Sequence, residues 1–386
     1  MKLKFKKFDA VVVGCGFAGA TIANLLANKG QKVLIVEKRS QYGGNMYDYY
    51  DENGVLVHKY GPHIFHTNSK KVFDYLSSFT PFEEYKHKVL GNIDGTLVPI
   101  PFNFTSLEKL LPNEAKTIEE KLTSKYPGKV RVSILELLND EDEQIKNFGQ
   151  YVYEKVFIHY TAKQWGIHPD KVDKSVINRV PVILGYEDLY FGDTYQYMPV
   201  KGFAEIFNQM LNNKNISIIL DTPAKELLKL EDGKIYLDGE LFSGRVFYSG
   251  AIDELFDYRF GPLPYRSLNL VFERHNVTYY QPNSVVNYTT SEDFTRISEF
   301  KYLSNQHIEG KTTILKEYSL PYDKDNPACS DPYYPIQNPE NQALYGKYLE
   351  LSKTYPQLTL CGRLAEYKYY NMDAVILRAM EIVENL

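Results

Sequence analysis

The sequence predicts an α/β fold in which a Rossmann-like dinucleotide-binding domain is interrupted by a helical bundle and an antiparallel sheet. Three observations predict it. An apolar strand at 10–13 runs into Gly14-Cys15-Gly16-Phe17-Ala18-Gly19, then a helix-like stretch, then a second strand ending in Glu37. Residues 106–166 carry helical periodicity. Residues 268–318 hold strand-like stretches joined by short connections, the pattern of an antiparallel sheet.

The first of these is a phosphate cradle. Gly14 permits a tight turn after the strand, Gly16 lets backbone approach a pyrophosphate, and Gly19 lets the helix pack closely on the sheet. The helix N-terminus then faces negative charge. Glu37 follows Gly19 by 18 positions, where a carboxylate can accept hydrogen bonds from ribose hydroxyls. Arg39 and the Gly43-Gly44 pair favour FAD over NAD, because a second glycine-rich turn brings backbone close to the flavin half of the dinucleotide. The basic residues 1–7 and apolar run 10–27 imitate a secretion signal, but Asp9 interrupts it and a buried-strand pattern follows Gly30.

Composition narrows the function classes. A chain of 386 residues, 44% hydrophobic, divides into two or three domains. No apolar run reaches the roughly 20 residues that span a bilayer. A net charge of −5 argues against a nucleic-acid binder, so any anionic ligand must be met by local cations. Cys15, Cys329 and Cys361 are spaced for neither a disulfide framework nor a metal site, which fits a reducing cytoplasm. Tyrosine is the outlier, with 33 residues against one tryptophan. Its flat ring and hydroxyl suit sugars and bases.

Along the chain, Tyr60-Gly61-Pro62-His63-Ile64-Phe65-His66 reads as a rigid, non-helical turn at a pocket edge. Residues 85–90 and 96–100 alternate as strands around an Asp94-Gly95 turn. Asn113 is expected to cap a helix reaching Tyr126, and a short helix follows at 133–138. A longer one carries Ile145, Phe148, Val152 and Val156 on one stripe and leads into residues 160–166. Residues 171–184, with Arg179 and Pro181, have weak periodicity and read as a loop. Strands are expected at 216–220, 235–237, 245–248, 268–272, 277–280, 285–288, 296–300 and 312–318. The strand ending at Gly362-Arg363 and the amphipathic segment 373–385 read as a return to the first domain, which makes it discontinuous. The expected division is an FAD-binding domain at 1–84, 196–255 and 335–386, a helical domain at 103–170, and an antiparallel-sheet substrate domain at 85–102, 171–195 and 256–334.

Six motifs taken together resemble bacterial UDP-galactopyranose mutase. They are the cradle, residues 60–66, Tyr160-Thr-Ala-Lys-Gln-Trp165, Val246-Phe-Tyr-Ser-Gly250, Lys316-Glu-Tyr-Ser319 and residues 362–373, in the family's order and over nearly the whole chain. The resemblance implies a homodimeric FAD enzyme that interconverts UDP-galactopyranose and UDP-galactofuranose and supplies the furanose for cell-surface glycans. It also implies activation by NAD(P)H or another external reductant. In that family the reduced flavin N5 is held to attack the anomeric carbon, expelling UDP, so that the sugar recloses through a different hydroxyl.

What the resemblance implies for residues follows position by position. Arg179 and Arg296 match the family's diphosphate-holding pair, and with His63 they are the expected catalytic residues. Gly14, Gly16, Phe17, Ala18, Gly19, Glu37, Lys38, Arg39, Gly44, Asn45, His63, Arg363 and Met372 are expected to hold FAD. Phe157, Tyr160, Thr161 and Trp165 match the uracil site, Tyr190, Tyr318 and Tyr369 match diphosphate-binding tyrosines, Asn287 matches a sugar contact, Asn371 falls near the sugar and diphosphate, and Arg363, near the cofactor's phosphates or reacting ring, is expected to meet substrate as well. Three departures stand out: Asn371 replaces an Asp of some members, Val156 replaces an aromatic, and His87 stands where Asn can occur. His58 is expected near the pocket, limiting room for the acetamido group of UDP-N-acetylgalactosamine. The competing classes are a flavin oxidase or dehydrogenase related to amine oxidases, and a non-catalytic nucleotide-sugar binding protein.

Overall fold

The computed structural model describes residues 7–166, 181–290 and 292–386. At its centre is a five-stranded sheet in the order Ile216–Ile219, Val33–Val36, Ala10–Val13, Arg245–Tyr248, Leu358–Leu360, every pairing parallel. Ala10–Val13 and Val33–Val36 are buried along their whole length, which is why they read as unbroken apolar runs rather than alternating ones. Three helices, Phe17–Asn28, Phe203–Leu211 and Met372–Glu384, share one hydrophobic core with one face of the sheet. The other face packs on a small meander that includes Leu228, Ile235 and Leu237. The C-terminal strand and helix thus complete a sheet begun by the N-terminal ones.

Seven strands form the second sheet, in the order Tyr334–Pro335, Tyr265–His275, Thr312–Pro321, Arg296–Glu299, Val285–Tyr288, Val89–Ile93, Thr96–Ile100. One pairing departs from the expected antiparallel pattern: Val285–Tyr288 runs parallel to Val89–Ile93, because the hairpin at 89–100 enters from another part of the chain. The expected strand at 277–280 is irregular. The Tyr280 and Gln281 N–H groups donate to the buried Glu299 carboxylate instead of to a neighbouring strand.

The helical block Phe104–Leu110, Ala115–Lys125, Ile134–Leu138 and Glu143–Val152 packs on that hairpin through a core containing Val98, Leu122, Leu137 and Phe148. Asn113 does not cap. It lies in a turn whose next two N–H groups return to the Leu111 carbonyl, and the helix starts at Ala115. Ser133 and Glu136 form a reciprocal capping box on the short helix. The expected long helix passes through a π-helical stretch, Tyr153–Ile158, before His159–Trp165. Such widened turns shift the facing of later side chains and recur at functional sites. Among the described residues no helix is long and apolar enough to cross a membrane.

Candidate active site

The cradle opens into a cavity of about 270 Å³. Gly14, Gly16, Phe17, Ala18, Glu37, Lys38, Arg39, Gly44, Asn45, His63, Arg363 and Met372 all line it. Gly19 does not. It lies under the cradle, where a Cβ would come within 2.0 Å of the Gly14 carbonyl oxygen. The two glycine turns approach each other closely: a Cβ on Gly44 would stand 2.9 Å from the Gly16 Cα, and one on Gly14, whose φ is +92°, 2.1 Å from the Ser249 hydroxyl. The groove walls are therefore bare backbone, the form a dinucleotide pyrophosphate requires.

Glu37 is buried, and its two carboxylate oxygens accept from the Cys15 N–H at 2.7 Å and the Arg39 N–H at 3.0 Å. Each keeps a further lone pair for a ribose hydroxyl. The Arg39 guanidinium lies 3.9 Å over the Tyr60 ring and donates to Asp331 at 2.7 Å and to Asn45 at 3.1 Å. These donors and bare turns fit an adenine dinucleotide such as FAD.

A second cavity, about 400 Å³, lies against the first. Met46, His63, Tyr333, Arg363, Asn371 and Met372 line both and so form the wall between them. Phe157, Tyr160 and Thr161 enter it from the π-helical stretch and the helix after it, Tyr190 from a loop, Asn287 and Arg296 from the large sheet, and Tyr369 beside the C-terminal helix. The structure thus brings most of the expected substrate residues to one chamber.

Among the described residues, Arg266, Arg296 and Arg363 are the arginines that line it. Arg296 is paired with a buried carboxylate. Its Nε donates to Glu317 at 2.7 Å, directly across the antiparallel pairing of their strands. Burial lowers the guanidinium's pKa, but Glu317 and then the Tyr160 phenol more than offset that, so the net direction is upward. Arg363 donates to the backbone carbonyls of Tyr333 and Tyr370 and lies 5.3 Å from the Tyr334 and Tyr369 rings, which stack on each other. Burial raises the phenol pKa of Tyr160 and Tyr190, keeping both as O–H donors.

Three histidines near this wall are neutral. Burial, then His58 and Arg363, push His63 well below the ordinary imidazole range. Burial, then Arg296 and His66, bring His87 down to about 3, and burial alone brings His58 to about 3. His58 lines neither cavity, so the expected steric role is not its position; its Nδ1 accepts from the His63 N–H at 3.0 Å and supports the turn from behind. His63 Nδ1, His87 Nδ1 and Asn287 Oδ1 are buried without a hydrogen-bond partner, and all three residues line the second cavity. Unsatisfied buried polar atoms facing a cavity are what a polar ligand would complete.

Three of the expected substrate residues are not placed in either cavity. Arg179 lies outside the described residues, as does the Trp165 side chain. Tyr318 stands on Thr312–Pro321 with its ring edge-on to Phe294 at 6.0 Å and lines neither cavity. Sequence reasoning missed Tyr333, Tyr334 and Glu317. The adjacent tyrosines at 333 and 334 offer only a faint signal, and Glu317 sits in a quoted motif without a role. Among the described residues no cluster of His, Cys, Asp and Glu is arranged to hold a metal.

Comparison with known proteins agrees with this geometry. A family model described as UDP-galactopyranose mutase matches residues 155–369, and one described as an NAD(P)-binding Rossmann-like domain matches residues 12–79. The chain is similar to UDP-galactopyranose mutase of Mycoplasma pneumoniae, with 34% identity over 100% of this chain and 97% of that one. It is also similar to dTDP-fucopyranose mutase of Escherichia coli, 33% identical over 97% of each. A crystal structure of reduced UDP-galactopyranose mutase superposes with a TM-score of 0.74 at 17% identity, over 98% of this chain and 93% of that chain, a likeness of fold.

Proposed function

The chain belongs to the UDP-galactopyranose mutase family, and from that premise we propose that it interconverts UDP-galactopyranose and UDP-galactofuranose in the cavity walled by His63 and Arg363. It is an isomerase, and FAD is its cofactor. One observation carries the assignment of the site: the nucleotide cradle opens, across a shared wall, onto a half-buried arginine anchored by a buried glutamate among aromatic rings. An amine-oxidase-like enzyme has no need of that cation.

Gly14, Gly16, Phe17, Ala18, Lys38, Arg39, Gly44, Asn45 and Met372 hold the dinucleotide, with Glu37 on the ribose. When bound and reduced, the flavin supplies a nucleophilic N5 for the anomeric carbon. The protein's own residues bind, orient and balance charge. Phe157 and Tyr160 offer aromatic faces to uracil, with Thr161 at its edge. Arg296 holds the diphosphate and stabilises it as it leaves, helped by hydroxyls of Tyr190 and Tyr369. Arg179 and Tyr318 join this group on the family's pattern alone. Asn287 and Asn371 meet sugar hydroxyls as neutral partners, and the uncharged His63 imidazole lines the wall without adding charge beside the diphosphate.

The same reading carries a homodimer in the cytoplasm, an external reductant such as NAD(P)H, and a product destined for surface glycans. The test is anaerobic turnover. Dithionite-reduced protein is expected to convert UDP-galactofuranose to UDP-galactopyranose with no net change in substrate redox state, resolved by chromatography of the products. dTDP-fucose and UDP-N-acetylgalactosamine serve as competing substrates. Reduced, flavin-loaded protein that leaves UDP-galactofuranose unchanged would falsify the assignment.

A further inference from the structure

Two distant parts of the chain line the second cavity together. The helix His159–Trp165 supplies Tyr160 and Thr161, and the hairpin of Val285–Tyr288 with Arg296–Glu299 supplies Asn287 and Arg296. A ligand spanning the cavity meets both, so their separation matters to it. Lys163 lies one helical turn after Tyr160 and reaches into that hairpin. Its Nζ donates to the backbone carbonyls of Tyr288 at 2.6 Å, Glu292 at 2.9 Å and Phe294 at 3.2 Å. Those three bonds use every donor of the ammonium. Burial lowers its pKa, with the Glu292 and Asp293 carboxylates opposing the shift.

The same helix end is pinned from the sheet. Arg266 Nε and the Ser319 hydroxyl both donate to the Gln164 carbonyl, at 3.1 Å and 2.5 Å, and Arg266 Nη2 donates to Ser319 Oγ at 2.9 Å. The neighbouring residues 163 and 164 are thus tied in two directions, to the hairpin that carries Arg296 and to Arg266 and Ser319 on the paired strands beside it. An apolar side chain at 163 would leave three inward-facing carbonyls without this partner.

We propose that Lys163 is a positioning residue that sets the span between the nucleobase recess and the residues holding diphosphate and sugar; the proposal rests on the nucleotide-sugar reading above. Its signature is selective. Removing the clamp lets helix and hairpin shift relative to each other, which costs a ligand that touches both and spares one that touches mainly the helix.

The test uses FAD-loaded protein and titration calorimetry with UMP and UDP-galactose. In Lys163→Met, UMP affinity is expected to stay within about twofold while UDP-galactose weakens about tenfold, and the KM for UDP-galactofuranose rises by a similar factor. Lys163→Arg, which keeps a multi-donor cation, is expected to recover most of that loss. Equal weakening of both ligands would mean the helix has merely loosened, and it overturns the proposal, as does no change in either. Where Lys163→Met fails to fold, Lys163→Gln, a polar side chain that removes the ammonium, replaces it. That variant is expected to weaken UDP-galactose about threefold and leave UMP unchanged, and an unaltered UDP-galactose affinity sinks the clamp. Wild-type protein that binds neither nucleotide removes the functional reading itself, and the clamp with it.

Discussion

The two cavities share a wall and are built from opposite materials. The cofactor side is made by leaving side chains out: Gly14, Gly16 and Gly44 bring backbone to the surface, and the space between the turns is narrower than one added carbon tolerates. The substrate side is made by bringing side chains in, from an α-helix, a loop, the large sheet and the C-terminal segment. The first therefore fails by addition and the second by deletion.

The largest effect tests the first half of that contrast. Gly14 combines a φ of +92° with a Cβ position 2.1 Å from the Ser249 hydroxyl, so Gly14→Val faces both backbone strain and a clash. Purified Gly14→Val is expected to be folded, colourless and inactive, as read from circular dichroism and flavin absorbance. A yellow, active variant would break the comparison outright. Arg296→Ala tests the second half. It deletes the anchored cation while leaving the cradle untouched, so FAD content stays at the wild-type level and kcat/KM for UDP-galactofuranose falls about a thousandfold, on the order of 4 kcal/mol.

Glu317→Gln sharpens the distinction between holding a ligand and holding the fold. Glu317 is 1% exposed and faces Arg296 across the strand pair. Neutralising it leaves a half-buried guanidinium without its partner, an effect of about 2 kcal/mol on stability. A bound diphosphate supplies the missing negative charge. UDP is therefore expected to raise the Tm of Glu317→Gln by more than it raises that of the wild type. An equal shift in both proteins would show that Arg296 does not face the diphosphate.

The same contrast explains what could be read from the sequence. The cradle was legible because its physics is local: strand, three spaced glycines, helix and a distant carboxylate follow one another within residues 10–37. The substrate cavity depends on register and long-range pairing. Nothing near Glu317 says that it lies opposite Arg296, and nothing in 285–288 says that it pairs in parallel with 89–93. Tyr160 is expected from a family motif and Tyr190 and Asn287 from single family positions, whereas Tyr333 and Tyr334 have no local pattern to separate them from the other tyrosines. The misread strand at 277–280 has the same origin, since a distant glutamate takes its N–H groups.

Acid stability tests the neutral wall of the substrate side, with the smallest effect per residue. An unfolded imidazole titrates near 6.5, whereas His58 and His87 stay neutral in the fold down to about 3. Between those values the unfolded chain binds more protons, so the stability these residues contribute is complete above about pH 6.5 and is lost as pH falls. By pH 5 the loss is about 2 kcal/mol for each of them. Asp48, whose carboxyl burial raises to about 6, pulls the other way, because the folded chain takes up its proton first. That gain is about 1 kcal/mol by pH 5, too small to reverse the trend. Urea unfolding at pH 7 and pH 5 is expected to show a net fall in stability, and His87→Asn should make the difference between the two pH values smaller by about 2 kcal/mol. A pH dependence identical to the wild type would mean that His87 is charged or solvated in the folded protein, and its place as a neutral wall of the substrate cavity would have to be given up.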